Sequence, residues 1–389
     1  MPQEERLEIG RKKRALYIGI PKETSLQENR IGLAPDSVRV LINNGHKVII
    51  EAGAGEGSSF PDDYYSDAGA RIVYSQKEVF DADIILKVEP PTLKELDLFK
   101  PGQTLISALQ IKIHNKKYFD RLVEKKISAI AFDYIQDNEG MFPVVRSMSE
   151  IAGNTAILIA AEYLSNVNNG KGVMLGGISG VKPAEVVILG AGTVAEFSAR
   201  SAMGLGATVK IFDNSLFRLR RLQNDLHERI FTSTIQPKLL SDALAKCDVA
   251  IGAIRSFGGI TSCVVTEEMV QEMSKGSVII DVSIDQGGCF ETSEITSHEN
   301  PIIVKHDVIH YGVPNIPSRV ARTASISLSN IFSPILVSIG ESGGIEKMLR
   351  LNTGFRNGLY LYNGILTNKW IADRFGIPYK DLDLLLASY

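Results

Sequence analysis

Short apolar runs bounded by turn residues recur along the chain, separated by stretches with helical spacing of apolar positions. Runs such as Val186-Val187-Ile188-Leu189 are continuous, not alternating, which suits strands buried on both faces of a parallel sheet. Apolar runs open at 15–20 and 47–51, and strands are predicted at 71–74, 83–88, 103–109, 127–133, 186–189, 208–212, 248–252 and 277–281. The alternation predicts an α/β protein: two Rossmann-like, doubly wound parallel-sheet domains with a cleft between them. One domain takes residues 1–147 and 321–389 and carries the substrate; the other takes 148–320. Pro35 and Asp36 start an early helix, and 147–165 reads as a helix with Ser147 or Ser149 as N-cap and Glu150 in its first turn. Residues 308–320, with their prolines and glycine, read as a crossover back to the first domain, followed by an apolar helical segment at 324–340. The C-terminal part, with Tyr360, Tyr362, Trp370 and Phe375, reads as helical.

Residues 185–214 organise the rest, in the order strand, glycine turn, helix, strand, acidic stop. Gly190 permits the sharp turn, Gly192 lets a pyrophosphate approach the backbone, and Ala195 at the third small position permits close helix–strand packing. The free N–H groups and positive dipole end of the helix supply the anion-binding chemistry. Asp213 closes the next strand, where a carboxylate accepts hydrogen bonds from the adenosine ribose and repels a 2′-phosphate, so NAD is expected over NADP. A bare glycine triplet is often only a turn; the flanking strands and the acid decide for dinucleotide binding. Gly53-x-Gly55-x-Gly57 has acids nearby and no clear helix behind it, and reads as a turn.

Length allows two domains with their own cores. A net charge of −3 with 22% charged residues gives no basic surface for nucleic acid or anionic membrane, so the expected partner is a small-molecule substrate. Cys247, Cys263 and Cys289 show no CxxC spacing, which fits a reducing compartment and no zinc site. No metal is expected. No run of ~18 apolar residues is evident, and the expected location is cytoplasmic.

Four residues carry candidate chemistry. Arg30 precedes apolar Ile31 and Leu33, and a held guanidinium suits a carboxylate; an exposed salt bridge is the plainer reading. Lys87 and Gln110 end predicted strands, where ligands gather in parallel sheets; each is otherwise an ordinary strand-end polar residue. Asp285 lies before Gly287 and Gly288, either as a proton-handling carboxylate or as a turn residue.

Taken together, GIPKE and ENRIGLAP within 19–35, NNGHKVIIEAGAG at 43–55, ILKVEPP at 85–91, MSEIAG at 148–153, the glycine fingerprint, VIIDVSIDQGG at 278–288 and HYGVPNIP at 310–317 resemble the alanine dehydrogenase family. That family shares its fold with the nucleotide-binding alpha subunit of proton-translocating transhydrogenases. The resemblance runs from about Ile18 to Tyr379. It implies NAD-dependent, reversible oxidative deamination of L-alanine to pyruvate and ammonia, with a homohexamer as the assembly. By the same resemblance Arg30 and Lys87 bind the substrate's oxygens, Asp285 serves the amine and water chemistry, and Ser149, Asp213, Arg218 and Asn315 join Gly190 and Gly192 in contacting NAD. The IDQGG form resembles the dehydrogenases, where the transhydrogenase subunits look like AQNGG. One position departs: ALQIK stands where the family has a sequence like YLHLA, so Gln110 replaces a catalytic histidine. Glutamine carries no proton but can donate an amide hydrogen bond to the substrate oxygen; His114 substitutes only if the local chain folds back. The rival readings are a relative acting on another 2-oxo acid, and a transhydrogenase-like nucleotide-binding subunit.

Overall fold

A computed structural model describes residues 13–25, 27–111, 114–255 and 263–387. In chain order the strands are β1 Tyr17–Ile20, β2 Lys47–Glu51, β3 Arg71–Val73, β4 Ile84–Leu86, β5 Thr104–Ser107, β6 Ser128–Ala131, β7 Glu185–Leu189, β8 Thr208–Phe212, β9 Phe231–Ser233, β10 Val249–Gly252, β11 Val278–Asp281, β12 Ile302–Lys305, β13 Val308–Tyr311, β14 Leu359–Tyr362 and β15 Ile365–Leu366. The described residues fall into two compact units, one drawn from Met1–Val145 with Ala321–Tyr389, the other from Arg146–Val320.

The first unit holds the sheet β15-β14-β6-β5-β4-β1-β2-β3 and the second the sheet β12-β13-β11-β10-β7-β8-β9. Both wind outward from a central strand and then reverse. In the first, β1, β2 and β3 run one way and β4 returns to the other side of β1; in the second, β7, β8 and β9 run one way and β10 returns beside β7. Such a reversal leaves a crevice at the carboxyl ends of the two strands that part company, the usual ligand position of open α/β sheets. The switch points are therefore β1/β4 and β7/β10.

Burial explains the continuous apolar runs. In the second unit Val186, Ile188, Val249 and Ile251 join the core on one face, while Val187, Leu189, Ala250 and Ile279 join the core on the other. Fully burying a Val, Leu or Ile contributes roughly 1.5–3 kcal/mol, so each strand is held from both sides. In the first unit Ile85, Leu105 and Ala129 from β4, β5 and β6 pack with Phe80, Phe99 and Phe119.

The sheets are parallel-dominated, as expected of an α/β doubly wound fold, with antiparallel pairs at one edge of each. β12 pairs antiparallel with β13, and β14 pairs antiparallel with both β6 and β15. Residues 308–311, read above within a crossover, form β13. Tyr360 and Tyr362, read above as helical, lie on β14. Two-residue turns with positive φ account for both: His306 and Asp307 (φ 53° and 60°) join β12 to β13, and Asn363 and Gly364 (φ 47° and 79°) join β14 to β15. The helix expected at 147–165 is Pro143–Leu164, starting on its proline, so Ser149 sits inside it and is not its N-cap.

Ile316–Ser342 is long and apolar enough by length and composition to cross a membrane (mean hydropathy 1.3), and half of its apolar window is buried inside the fold. Within the first unit its Ser325 and Ser329 hydroxyls accept the backbone N–H groups of Ile31 and Ala34.

Candidate active site

In the second unit the β7 end leads directly into Gly190, whose φ is 109°. A Cβ there would lie 2.5 Å from the Ala253 carbonyl oxygen, so the reversal of the sheet at β7/β10 requires glycine on two counts. Gly192 differs. It stands at the N-cap of helix Thr193–Gly204 with ordinary φ and no side-chain cap, and a Cβ on it would meet nothing within 4 Å. Protein packing does not demand glycine at that point; open space lies over a helix start whose first-turn N–H groups lack intrahelical partners. Such a cradle fits a pyrophosphate. Ala195 is fully buried in the core beneath it.

Asp213 ends β8 and is almost wholly buried. Its Oδ2 accepts the Ala191 N–H at 2.8 Å and its Oδ1 accepts the Ser215 N–H at 2.7 Å. The carboxylate thus ties the second strand to the glycine turn and keeps lone pairs for a ribose. Arg218 Nη1 stands 3.8 Å from Asp213 Oδ2. Arg221, which the sequence reading passed over, donates from Nη2 to the Ala191 carbonyl at 3.2 Å and braces the same turn.

Asp285 lies exposed in the short helix Ile284–Gln286 that follows β11, and Asn315 (φ 59°) follows β13, so both stand at carboxyl ends of strands in this sheet. Ser149 is half-buried in Pro143–Leu164. The loop carrying Asp285 is held by a residue not singled out before, Asp281. Its oxygens accept N–H groups from Ser283 at 3.1 Å, Cys289 at 2.9 Å and Phe290 at 3.4 Å. Burial pushes this carboxyl up to about 6 against those donors. Gly288 passes so close that a Cβ would lie 2.7 Å from Asp281 Oδ2, and Gly287 turns with φ 109°, so the two glycines after Asp285 have separate reasons. His310 is structural: Nε2 lies 2.7 Å from the Thr292 hydroxyl, Nδ1 lies 3.0 Å from the Val308 carbonyl, and burial lowers its pKa to about 4.

In the first unit, the loop after β1 supplies Glu23, Glu28 and Arg30, and the end of β4 supplies Lys87 and Glu89, so all five stand at the β1/β4 switch point. Arg30 donates from Nε to Glu28 Oε1 at 2.7 Å and from Nη2 to Glu28 Oε2 at 2.5 Å, a forked pair with little exposure. Lys87 is deeply buried at the end of β4. Its side chain is 1% exposed, with Nζ 2.8 Å from Glu95 and 3.1 Å from Glu23. Burial works against its charge, yet the two carboxylates hold it above the usual lysine range. Glu23 is pushed up by burial to about 7, although Lys87 and the Val88 N–H, at 2.6 Å, pull the other way. Glu89 is half-buried; burial and Glu28 raise its pKa while Arg30, Lys87 and Ser25 oppose the rise.

Gln110 is exposed just beyond β5, next to β4, and has φ 39°. A glutamine in the left-handed region is uncommon and bears a local conformational cost. His114 does not take the place of a catalytic imidazole: it stacks on Tyr118 at 3.7 Å, and burial lowers its pKa to about 4, so it stays neutral. Among the described residues, no group of three or more His, Cys, Asp or Glu side chains is placed to hold a metal ion.

The chain is similar to known proteins along most of its length. The N-terminal domain of the alanine dehydrogenase/PNT family matches residues 19–152 and its C-terminal domain residues 156–369. The alanine dehydrogenase of Staphylococcus epidermidis is 39% identical over 369 residues, 95% of this chain and 99% of that protein. Alanine dehydrogenase 2 of Staphylococcus aureus is 38% identical over the same shares. Among solved structures, an L-alanine dehydrogenase superposes with a TM-score of 0.86 at 37% identity, covering 92% of this chain and 99% of that one. A transhydrogenase from Sinorhizobium meliloti shares the fold, with a TM-score of 0.76 at 24% identity over 90% of this chain and 99% of that one. With family matches across both halves and relatives aligned over nearly their full length, the chain belongs to the alanine dehydrogenase/PNT family.

Proposed function

We propose that this protein is an NAD-dependent L-alanine dehydrogenase, an oxidoreductase that converts L-alanine and water reversibly to pyruvate and ammonium. The observation that carries this reading is the near-full-length identity of 38–39% to alanine dehydrogenases. The open glycine cradle and the β1/β4 switch point support it as places for cofactor and substrate.

In this reading Gly190, Gly192 and Ala195 shape the pyrophosphate cradle, Asp213 takes the ribose hydroxyls with Arg218 beside it, and Ser149 and Asn315 contribute further polar contacts. Held there, NAD would supply the acceptor for the hydride that leaves the substrate's Cα. Arg30 orients the substrate carboxylate. Lys87, whose ammonium is engaged by Glu23 and Glu95, binds the substrate's oxygens beside Arg30. Gln110 donates its amide N–H to the oxygen that develops on the substrate carbon, and Asp285 handles the proton of the water that hydrolyses the imine. We take the assembly to be a homohexamer, as the family resemblance implies, and its location to be the cytoplasm; sedimentation of the purified protein tests the first point.

The testing experiment is a steady-state assay of purified protein across 2-oxo acids with ammonium and NADH. Pyruvate is expected to be the preferred acceptor. Absence of pyruvate-dependent NADH oxidation overturns the reading.

A further inference from the structure

At the end of β8 the buried Asp213 carboxylate has two guanidiniums around it. Arg218 Nη1 stands 3.8 Å from Asp213 Oδ2. Arg221 Nη2 donates at 3.2 Å to the carbonyl of Ala191, the residue whose N–H Asp213 Oδ2 accepts at 2.8 Å. The two arginines lie three apart in helix Leu216–Leu226 and so share one face of it. Neither is spent on a carboxylate. The pairs Arg218 with Asp213 at 3.8 Å and Arg221 with Asp225 at 3.7 Å are longer than hydrogen bonds, and the two arginine side chains are 40% and 44% exposed; pairs of that kind are weak and easily exchanged. Asp213 itself is tied down, each of its oxygens accepting a backbone N–H.

A carboxylate at this strand end selects against a 2′-phosphate on the adenosine ribose by repulsion, and an arginine nearby accommodates one. Here two arginines stand against one anchored carboxylate. A guanidinium fork matches phosphate oxygens with paired N–H···O bonds, and Arg221 uses one of its five donors on Ala191. We propose that the protein also takes the 2′-phosphorylated dinucleotide, NADPH, as a second cofactor, with Arg221 and Arg218 holding the 2′-phosphate. The inference rests on the dehydrogenase reading above and goes beyond its choice of NAD. The reaction balances as with NADH: pyruvate, ammonium, NADPH and one proton give L-alanine, water and NADP. The 2′-phosphate, at the far end of the molecule from the nicotinamide, takes no part in hydride transfer.

Purified protein titrated with NADPH and with NADH by nicotinamide fluorescence, and assayed with each in pyruvate and ammonium, tests the proposal. NADPH is expected to bind and to be oxidised with kcat/KM within about 10²-fold of NADH, where a carboxylate left unopposed against the phosphate would separate them by roughly 10³-fold or more. Arg221→Ala is expected to lower the NADPH-to-NADH ratio of kcat/KM by about tenfold or more, and Arg221→Lys, which keeps the charge, to restore part of it. The ratio isolates the phosphate, because loosening of the Ala191 turn acts on both nucleotides. Arg218→Ala is expected to move the ratio the same way and serves where thermal unfolding shows Arg221→Ala misfolded. NADPH that neither binds nor is oxidised, or a ratio unmoved by the folded arginine variants, overturns the assignment and leaves the dehydrogenase reading intact. Binding of both nucleotides without pyruvate reduction by either overturns the dehydrogenase reading and leaves the phosphate site to be judged by the binding ratio alone, with the same tenfold loss expected.

Discussion

The ammonium of Lys87 lies 2.8 Å from Oε1 of Glu95, the residue that closes the capping box of helix Leu93–Leu98 with Thr92. One lysine thus fastens the end of β4 to the start of the next helix, and through Glu23 to the loop after β1. Removing one partner of a buried ion pair leaves uncompensated charge, at a cost of about 3–5 kcal/mol. Lys87→Ala should lower unfolding free energy by that order in urea titrations. A lysine that only bound substrate would instead lose affinity at unchanged stability.

The two fingerprint glycines should separate fold from binding. Gly190→Ala meets the Ala253 carbonyl and a φ of 109°, so it should destabilise the protein by about 1–3 kcal/mol. Gly192→Ala meets open space at an ordinary φ. It should leave the melting temperature almost unchanged while weakening NADH by tenfold or more, read by titration calorimetry.

Most of this fold was legible in the apolar runs, because strands buried on both faces leave no polar alternation to misread. The hairpins were not. Tyr360 and Tyr362 stand two apart, which is strand and not helix spacing, and the decisive sign lay in Asn363-Gly364, a two-residue turn that sets an antiparallel pair. The glycine turn, the helix start and the acidic strand end could be read from Gly190 through Asp213, since they are written in small residues and one acid. The substrate end was harder: spacing marks Lys87 as a strand-end cation but does not reveal that Glu23 and Glu95 enclose it, since these carboxylates come from separate elements. Asp281 and Arg221 escaped notice for a similar reason, because they act on backbone groups distant in sequence.

Gln110 supplies polarity without a titratable proton. Gln110→His should raise alanine oxidation and add an ionisation near the ordinary imidazole value of about 6.5 to the kcat profile. An inactive but folded variant would mean that the loop after β5 accommodates only the amide.

Stability should peak in mildly acidic solution. Glu23 and Asp281 have folded pKa values raised to about 7 and about 6 from 4.5 and 3.8. Their contribution is full below the unfolded values and is lost as pH rises through the folded ones. His114 and His310 are lowered from 6.5 to about 4, so their contribution is full above 6.5 and is lost as pH falls toward 4. Melting temperature should therefore decline from about pH 6 to about pH 8. Glu23→Gln should flatten that alkaline decline, as differential scanning calorimetry would show.

The most direct measurement is the fate of the substrate's Cα hydrogen. Purified protein given L-alanine deuterated at Cα and oxidised NAD should produce pyruvate and NADH carrying the deuterium, with a slowed rate if hydride transfer limits turnover. Alanine left unconsumed, or NADH formed without the label, would contradict the account.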